Sequence, residues 1–94
     1  MSTIKQRHVL ILSKKEYNNK TEDAITCGIT SNLKDVSYSV LVDNKNLVNG
    51  YITVSSRIKV DKLFTISKNI IRNKVAKVNQ EIFKQVREEL FNLV

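Results

Sequence analysis

The sequence has few of the residues that interrupt secondary structure, form disulfides or bind metals. It contains no proline and no tryptophan, two glycines, one cysteine and one histidine among 94 residues. A single cysteine cannot form an internal disulfide, and one cysteine with one histidine is too few for a zinc site. Cys27 lies within an apolar run, with no histidine or helix start nearby in sequence to lower its pKa, so we expect a core residue rather than a nucleophile. We predict no metal site and no cofactor.

Long apolar segments are also missing. No run approaches the roughly 18 residues that a bilayer crossing requires, and we expect no signal peptide before the first apolar segment. We therefore expect no membrane partner. A lone cysteine is typical of a reducing compartment, so we expect a cytoplasmic location.

The composition that remains fits one small domain over residues 1–94. Hydrophobic side chains make up 41% and charged side chains 27%, as in ordinary folded domains. The net charge is +7, yet residues 79–94 hold two basic and three acidic side chains, so the basic excess lies before them. Such a charge favours a polyanionic partner, either nucleic acid or an acidic protein, and a generally basic solvated surface would account for it equally well.

Short runs rich in β-branched residues predict a mainly β protein. We expect strands over residues 7–13, 24–30, 36–42 and 57–64, and one helical turn near residues 15–18. The unbroken apolar character of the first run favours a central strand buried on both faces. In the strand over 57–64, alternation groups Ile58, Val60 and Lys62 against Arg57, Lys59 and Asp61.

The connecting segments are less regular. Residues 43–50 are rich in turn formers and predict a loop, followed by a short extended piece at 51–54. Residues 69–78 fit either a short edge strand or a broken helical turn. Phe64 and Tyr38 are expected in the core, and Tyr17 and Tyr51 at the surface.

The C-terminal segment predicts an amphipathic helix. Asn79 is a favourable N-cap, and Glu81 falls in the first turn, where the helix dipole favours an acidic side chain. Apolar residues then recur at helical spacing, which predicts one stripe packed on the sheet: Ile82, Phe83, Val86, Leu90 and Leu93.

The order and spacing of these segments resemble the MazF/PemK family of type II toxins, which are mRNA interferases. The resemblance lies in an arginine opening the strand RHVLILS, then EYNNKT, an apolar strand ending ITS, the stretch SSRIKVDKLFTIS and the terminal EIFKQVREELFNLV. It implies an SH3-like small barrel of antiparallel strands with a C-terminal helix. It also implies a homodimer that cleaves single-stranded RNA at specific sequences without metal, and an acidic antitoxin protein as partner.

The resemblance assigns the catalytic pair to Arg7 and Thr30. If the first two strands pair antiparallel, these residues lie together at one edge of the sheet. Metal-free RNA cleavage needs a cation and hydrogen-bond donors to stabilise the phosphorane, which suits a guanidinium and a hydroxyl. We expect RNA contacts from five further residues: Ser31, Arg57, Lys59, Asp61 and Lys62. For Asp61, at the family's usual acidic position, orientation of Arg7 is the alternative to contact with a base. The alternative interpretation is a surface ion pair at Arg7, an ordinary strand residue at Thr30 and a solvated basic face.

The sequence departs from the family at two places. His8 stands where the family usually has proline, and strand alternation turns it away from the face of Arg7, which argues against direct catalysis by this histidine. Only six residues precede Arg7, so we expect the family's usual first strand to be lacking. A shortened, non-catalytic relative that binds nucleic acid or antitoxin is therefore the second hypothesis. The related gyrase-poison toxins share the fold, but the presence of Arg7 and Thr30 argues against that activity.

Overall fold

The computed structural model describes residues 8–71 and 73–94. In chain order its elements are β1 (Val9–Ile11), α1 (Lys15–Lys20), β2 (Asp23–Thr30), β3 (Ser39–Val42), β4 (Leu47–Gly50), β5 (Ser56–Ser67), β6 (Ala76–Val78) and α2 (Gln80–Leu93). Short 3-10 turns occur at Asn44–Asn46 and Lys68–Ile70. The strands expected over residues 24–30 and 57–64 and the terminal helix are thus confirmed, and the second strand extends to Ser67.

The strands form a curled antiparallel sheet and a separate ribbon. In the sheet the order is β1-β2-β5-β3, and β4 pairs with β6 in the ribbon. Every pairing between the described strands is antiparallel. This mainly antiparallel architecture with a C-terminal helix confirms the predicted SH3-like small barrel.

A bulge in β5 changes the alignment of the two central strands. Gly28 of β2 pairs with Lys59, whereas the preceding residue, Cys27, pairs with Leu63. Residues 60–62 of β5 therefore have no partners in β2. Extra residues of this kind bend a strand and increase its twist. The bulge consequently helps the sheet to curl around the core.

The core lies between this curled sheet and α2. It contains the buried side chains of Cys27, Val40, Val42, Ile58, Val60, Ile82 and Val86. The helix begins where predicted, since Asn79 Oδ1 accepts a hydrogen bond of 2.8 Å from the Ile82 N–H. Burial raises the pKa of the Cys27 thiol to about 12. Cys27 is thus a core residue, as expected, and its thiol is poorly suited to act as a nucleophile.

The expectation that the first strand is central was wrong. β1 lies at the edge of the four-stranded sheet and pairs with β2 alone among the described strands. Leu10 and Leu12 pack against the core, whereas Ile11 between them is 39% exposed. The side chains of β1 alternate between the core and the outside, as in an ordinary strand. The sequence does not show this alternation, because the outward position is occupied by the hydrophobic Ile11.

Other boundaries also differ from the expectations. The strand expected from residue 36 begins at Ser39, because Tyr38 adopts φ 60 in a turn. The loop expected at residues 43–50 contains a 3-10 turn and then β4, while residues 51–54 form no strand. In the segment 69–78, a 3-10 turn ends at Ile70, and the strand β6 begins at Ala76.

Two aromatic residues expected in the core are partly open. Phe64 is 44% exposed and Tyr38 37% exposed, so both predictions were wrong. Tyr51 is 66% exposed, as expected. Among the residues that the structure describes, no helix combines the length and the apolarity that a membrane crossing demands.

Candidate functional site where β2 ends and β5 begins

The end of β2 and the start of β5 bring several predicted site residues onto one face of the sheet. Thr30 pairs with Arg57, and Gly28 pairs with Lys59. Directly opposed residues share a face, and so do residues two apart in a strand. A Cβ atom placed on Gly28 would lie 3.6 Å from the Lys62 Cβ, which puts this second lysine beside the same strand. We call this surface, built on Gly28, Thr30, Arg57, Lys59 and Lys62, the Thr30 face.

The hydroxyl of Thr30 is fixed by the turn that follows it. The Asn32 N–H donates a hydrogen bond of 3.1 Å to Thr30 Oγ1. The Asn32 side chain in turn accepts from the Lys34 N–H at 3.1 Å. A hydroxyl that accepts one hydrogen bond still has its own hydrogen to donate. Thr30 is therefore suited to donate to an anion on this face.

Arg57 is held by protein groups on the Thr30 face. Its Nε donates to the Leu33 carbonyl oxygen at 3.2 Å, and its Nη1 donates to Ser39 Oγ at 3.1 Å. Nη1 also lies 3.5 Å from a carboxylate oxygen of Asp35. Only 13% of the Arg57 side chain is exposed, against 88% of the Asp35 side chain. The cation thus joins β5 to the β2–β3 connection.

Sequence analysis missed the partners of Arg57. Leu33 contributes a backbone carbonyl, which has no side-chain signal, and Ser39 was assigned only to a strand. Of the three partners, only Asp35 could have been suspected from the sequence, because it is an acidic residue in a polar segment and could pair with an arginine.

The remaining predicted contacts are exposed. Ser31 follows Thr30 at the start of the turn, and Asp61 and Lys62 lie in the β5 bulge. The structure therefore brings Thr30, Arg57, Lys59 and Lys62 together, with Ser31 adjoining them. Asp61 is close to this group in sequence, and no described contact joins it to Thr30.

Arg7 lies outside the described residues, so its meeting with Thr30 stays a prediction. The premise of that prediction is confirmed, because β1 and β2 pair antiparallel. The Ile29 N–H donates to the His8 carbonyl oxygen at 3.3 Å, which aligns His8 with Ile29. Since neighbouring strand residues face opposite ways, His8 and Thr30 belong to opposite faces.

His8 instead lines an open cavity of about 520 Å³ with residues of the β4–β5 connection and Val75. No residue of the Thr30 face lines this cavity. Within residues 8–71 and 73–94, no three histidine, cysteine, aspartate or glutamate side chains come together as a metal-ligand group.

Comparison with known families decides the affiliation of this chain. Residues 2–94 match the family described as PemK-like, MazF-like toxin of type II toxin–antitoxin system. The chain belongs to this family. No curated protein sequence matches it.

Solved structures of MazF-like toxins share the fold. The Mycobacterium tuberculosis toxin MazF-mt6 superimposes with a TM-score of 0.77 at 21% identity, over 92% of this chain and 83% of that one. A MazE–MazF structure from Deinococcus radiodurans gives a TM-score of 0.78 at 24% identity, over 94% and 84%. An endoribonuclease in complex with its cognate antitoxin, from a mycobacterial species, gives 0.74 at 15% identity, over 92% and 78%.

Proposed function

We propose that this PemK/MazF-like toxin is an endoribonuclease that cleaves single-stranded RNA at specific sequences and without metal. The observation that carries the proposal is the Thr30 hydroxyl, which accepts from the Asn32 N–H and lies on one sheet face with Lys59. Such a face combines a hydroxyl donor with positive charge, and both suit a phosphate. A mycobacterial protein of similar structure is named an endoribonuclease, which supports the same assignment.

The proposed reaction uses the RNA's own 2′-hydroxyl as nucleophile. Its oxygen forms a bond to phosphorus and its proton passes to a base, while the bond to the 5′ oxygen breaks and that oxygen takes up a proton. The products are a 2′,3′-cyclic phosphate and a 5′-hydroxyl. Arg7 and Thr30 would stabilise the negative charge that develops on the non-bridging oxygens.

The surrounding residues would hold the RNA. Lys59 and Lys62 would contact phosphates, and Ser31 would donate a further hydrogen bond beside Thr30. Asp61, exposed in the bulge, would accept from the edge of a base.

We further propose an acidic antitoxin segment as the protein partner, bound on the Thr30 face in competition with RNA. Similar structures contain MazF with MazE, or an endoribonuclease with its antitoxin. We also propose that the toxin acts in the cytoplasm as a homodimer, since β1 pairs with β2 alone among the described strands and a second chain could pair with its other edge. Sedimentation equilibrium at micromolar concentration tests the dimer, and a well-folded monomer would contradict it.

The catalytic assignment is tested by Arg7→Ala and Thr30→Ala, with Thr53→Ala as the matched control. Thr53 is exposed in the β4–β5 connection. We expect Thr30→Ala to slow cleavage by roughly 10²–10³-fold, the usual cost of losing one transition-state donor. Arg7→Ala should be at least as severe, and Thr53→Ala should cleave like the wild type.

Cleavage of a long unstructured RNA, with mapping of the termini, gives the readout. Cleavage should persist in EDTA and leave cyclic phosphates. Loss of cleavage in EDTA would refute the metal-free mechanism, and full activity of both site variants would refute the assignment. RNA or antitoxin binding by a wild type that never cleaves would instead support the non-catalytic alternative.

A further inference from the structure

Arg57 fastens both ends of the connection between β2 and β3. Its Nε donates to the Leu33 carbonyl near the start of that connection. Its Nη1 donates to Ser39 Oγ, and Ser39 Oγ donates in turn to the Val36 carbonyl at 2.6 Å. One guanidinium therefore spans the whole connection, which a single-point cation could not do.

The turn held in this way determines the surroundings of the Thr30 hydroxyl. Asn32, whose N–H donates to Thr30 Oγ1, directly precedes Leu33, whose carbonyl Arg57 binds. Movement of the Leu33 peptide would therefore move the donor that orients Thr30. A hydroxyl that accepts a hydrogen bond also becomes a better donor, because linked hydrogen bonds polarise each other.

We propose that Arg57 is a positioning residue that fixes the Thr30 turn, so that the Thr30 hydroxyl hydrogen points toward the RNA phosphate. The proposal rests on the endoribonuclease function proposed above. It differs from the expectation that Arg57 binds RNA directly, since the side chain is largely buried and two of its nitrogens are bound to protein groups. The ion pair with Asp35 contributes little, because the Asp35 side chain is 88% exposed and water screens its charge.

The two roles of Arg57 predict opposite results for a lysine substitution. Arg57→Lys keeps the charge but loses the planar fork, so it should fail as a clamp and yet serve as a phosphate contact. Arg57→Gln removes the charge as well. Arg87→Lys and Arg87→Gln are matched controls, because Arg87 is exposed on α2 and stacks on the Phe83 ring with 5.6 Å from its guanidinium carbon to the ring centre.

Single-turnover cleavage and binding are measured separately. We expect both Arg57 variants to lower the cleavage rate constant by about 10- to 100-fold, the order of loss that follows a misplaced reacting group. Their affinity for a 2′-O-methyl RNA, which has no nucleophile, should stay within about twofold, with an unchanged salt dependence. Wild-type cleavage by Arg57→Lys would overturn the proposal. Weaker RNA binding by Arg57→Gln, with a salt slope reduced by about 0.7, would also overturn the proposal, because it would show a lost phosphate contact.

A double substitution shows whether Arg57 acts through Thr30. On the Thr30→Ala background, Arg57→Gln should lower the residual cleavage rate no further. If the double variant instead shows the product of the two single-variant rate losses, Arg57 acts independently of Thr30, and the proposal is overturned. Thermal unfolding identifies a variant that fails to fold, in which case Arg57→Lys carries the test.

Amide hydrogen exchange gives a readout that needs no cleavage. The Asn32 amide should exchange faster in Arg57→Lys and in Thr30→Ala than in the Arg87 variants. Unchanged exchange in Arg57→Lys would overturn the clamp. If the wild type does not cleave RNA, the proposed function fails, and the exchange experiment still decides whether Arg57 holds this turn.

Discussion

Lys59 and Lys62 should set much of the salt dependence of RNA binding. Lys59 pairs with Gly28, and Lys62 lies beside Gly28 because of the bulge. A lysine that neutralises one phosphate of a single strand steepens the plot of log affinity against log salt by about 0.7. Lys59→Gln and Lys62→Gln should each reduce that slope by about 0.7, and the double variant by about 1.4. Relative to 1 M salt, each change weakens binding about fivefold at 0.1 M.

Fluorescence anisotropy of a labelled 2′-O-methyl RNA over a series of salt concentrations measures these slopes. Lys84→Gln is the matched control, because Lys84 is exposed on α2 and carries the same charge. Arg57→Gln should leave the slope unchanged, since Arg57 is bound to protein groups. Equal slope changes for Lys84 and Lys59 would show that the protein binds RNA through general charge, and would refute the phosphate contacts assigned to the Thr30 face.

Two further predictions concern stability. Burial raises the pKa of the Cys27 thiol from 9.0 to about 12. The neutral thiol therefore makes its full contribution to the stability of the fold below pH 9.0, and this contribution is lost as the pH rises toward 12. Between pH 9.0 and 12 the free energy of unfolding should therefore fall by about 1.4 kcal/mol per pH unit more than in Cys27→Ala. Urea unfolding on both sides of pH 9.0 measures this difference. Plots of unfolding free energy against pH that run parallel for the two proteins would contradict it. Gly50→Ala should destabilise the protein by roughly 2–5 kcal/mol, because Gly50 has φ +77 and the new Cβ would lie 2.2 Å from the Val75 carbonyl oxygen. Gly28→Ala, whose Cβ would meet Lys62 at an ordinary 3.6 Å, should cost less than about 1 kcal/mol in the same urea assay, and equal losses would refute the steric argument.

Local patterns in the sequence predicted the elements whose stability is local. The Asn79 cap and the apolar stripe predict α2, and both features lie within the helix or at its first turn. β2 was predicted from its short apolar run, and the start of β5 from the alternation of Ile58 and Val60 with charged residues. β4 was missed because its residues Leu47–Gly50 resemble a turn, and they become a strand by pairing with β6 far along the chain. Such pairing overrides local preference.

The candidate site was predictable only in part. Thr30 was identified through the family resemblance and the basic residues of β5 through their charge, and the structure brings Thr30, Arg57 and Lys59 together on one face. The role of Arg57 could not be foreseen, because its partner at Leu33 is a backbone carbonyl. Whether it binds RNA or holds the turn depends on three-dimensional contacts that alternation along β5 does not encode.

The bulge in β5 explains why alternation fails for Lys62. Strict alternation from Ile58 and Val60 would send Lys62 into the core, where an unpaired charge is costly. With residues 60–62 unmatched in β2, Lys62 is exposed beside Gly28, and Leu63 takes the position opposite Cys27. One irregularity therefore keeps a charge out of the core and brings a second lysine to the Thr30 face. The basic character of that face follows from the register of two strands, and a sequence pattern alone cannot locate it.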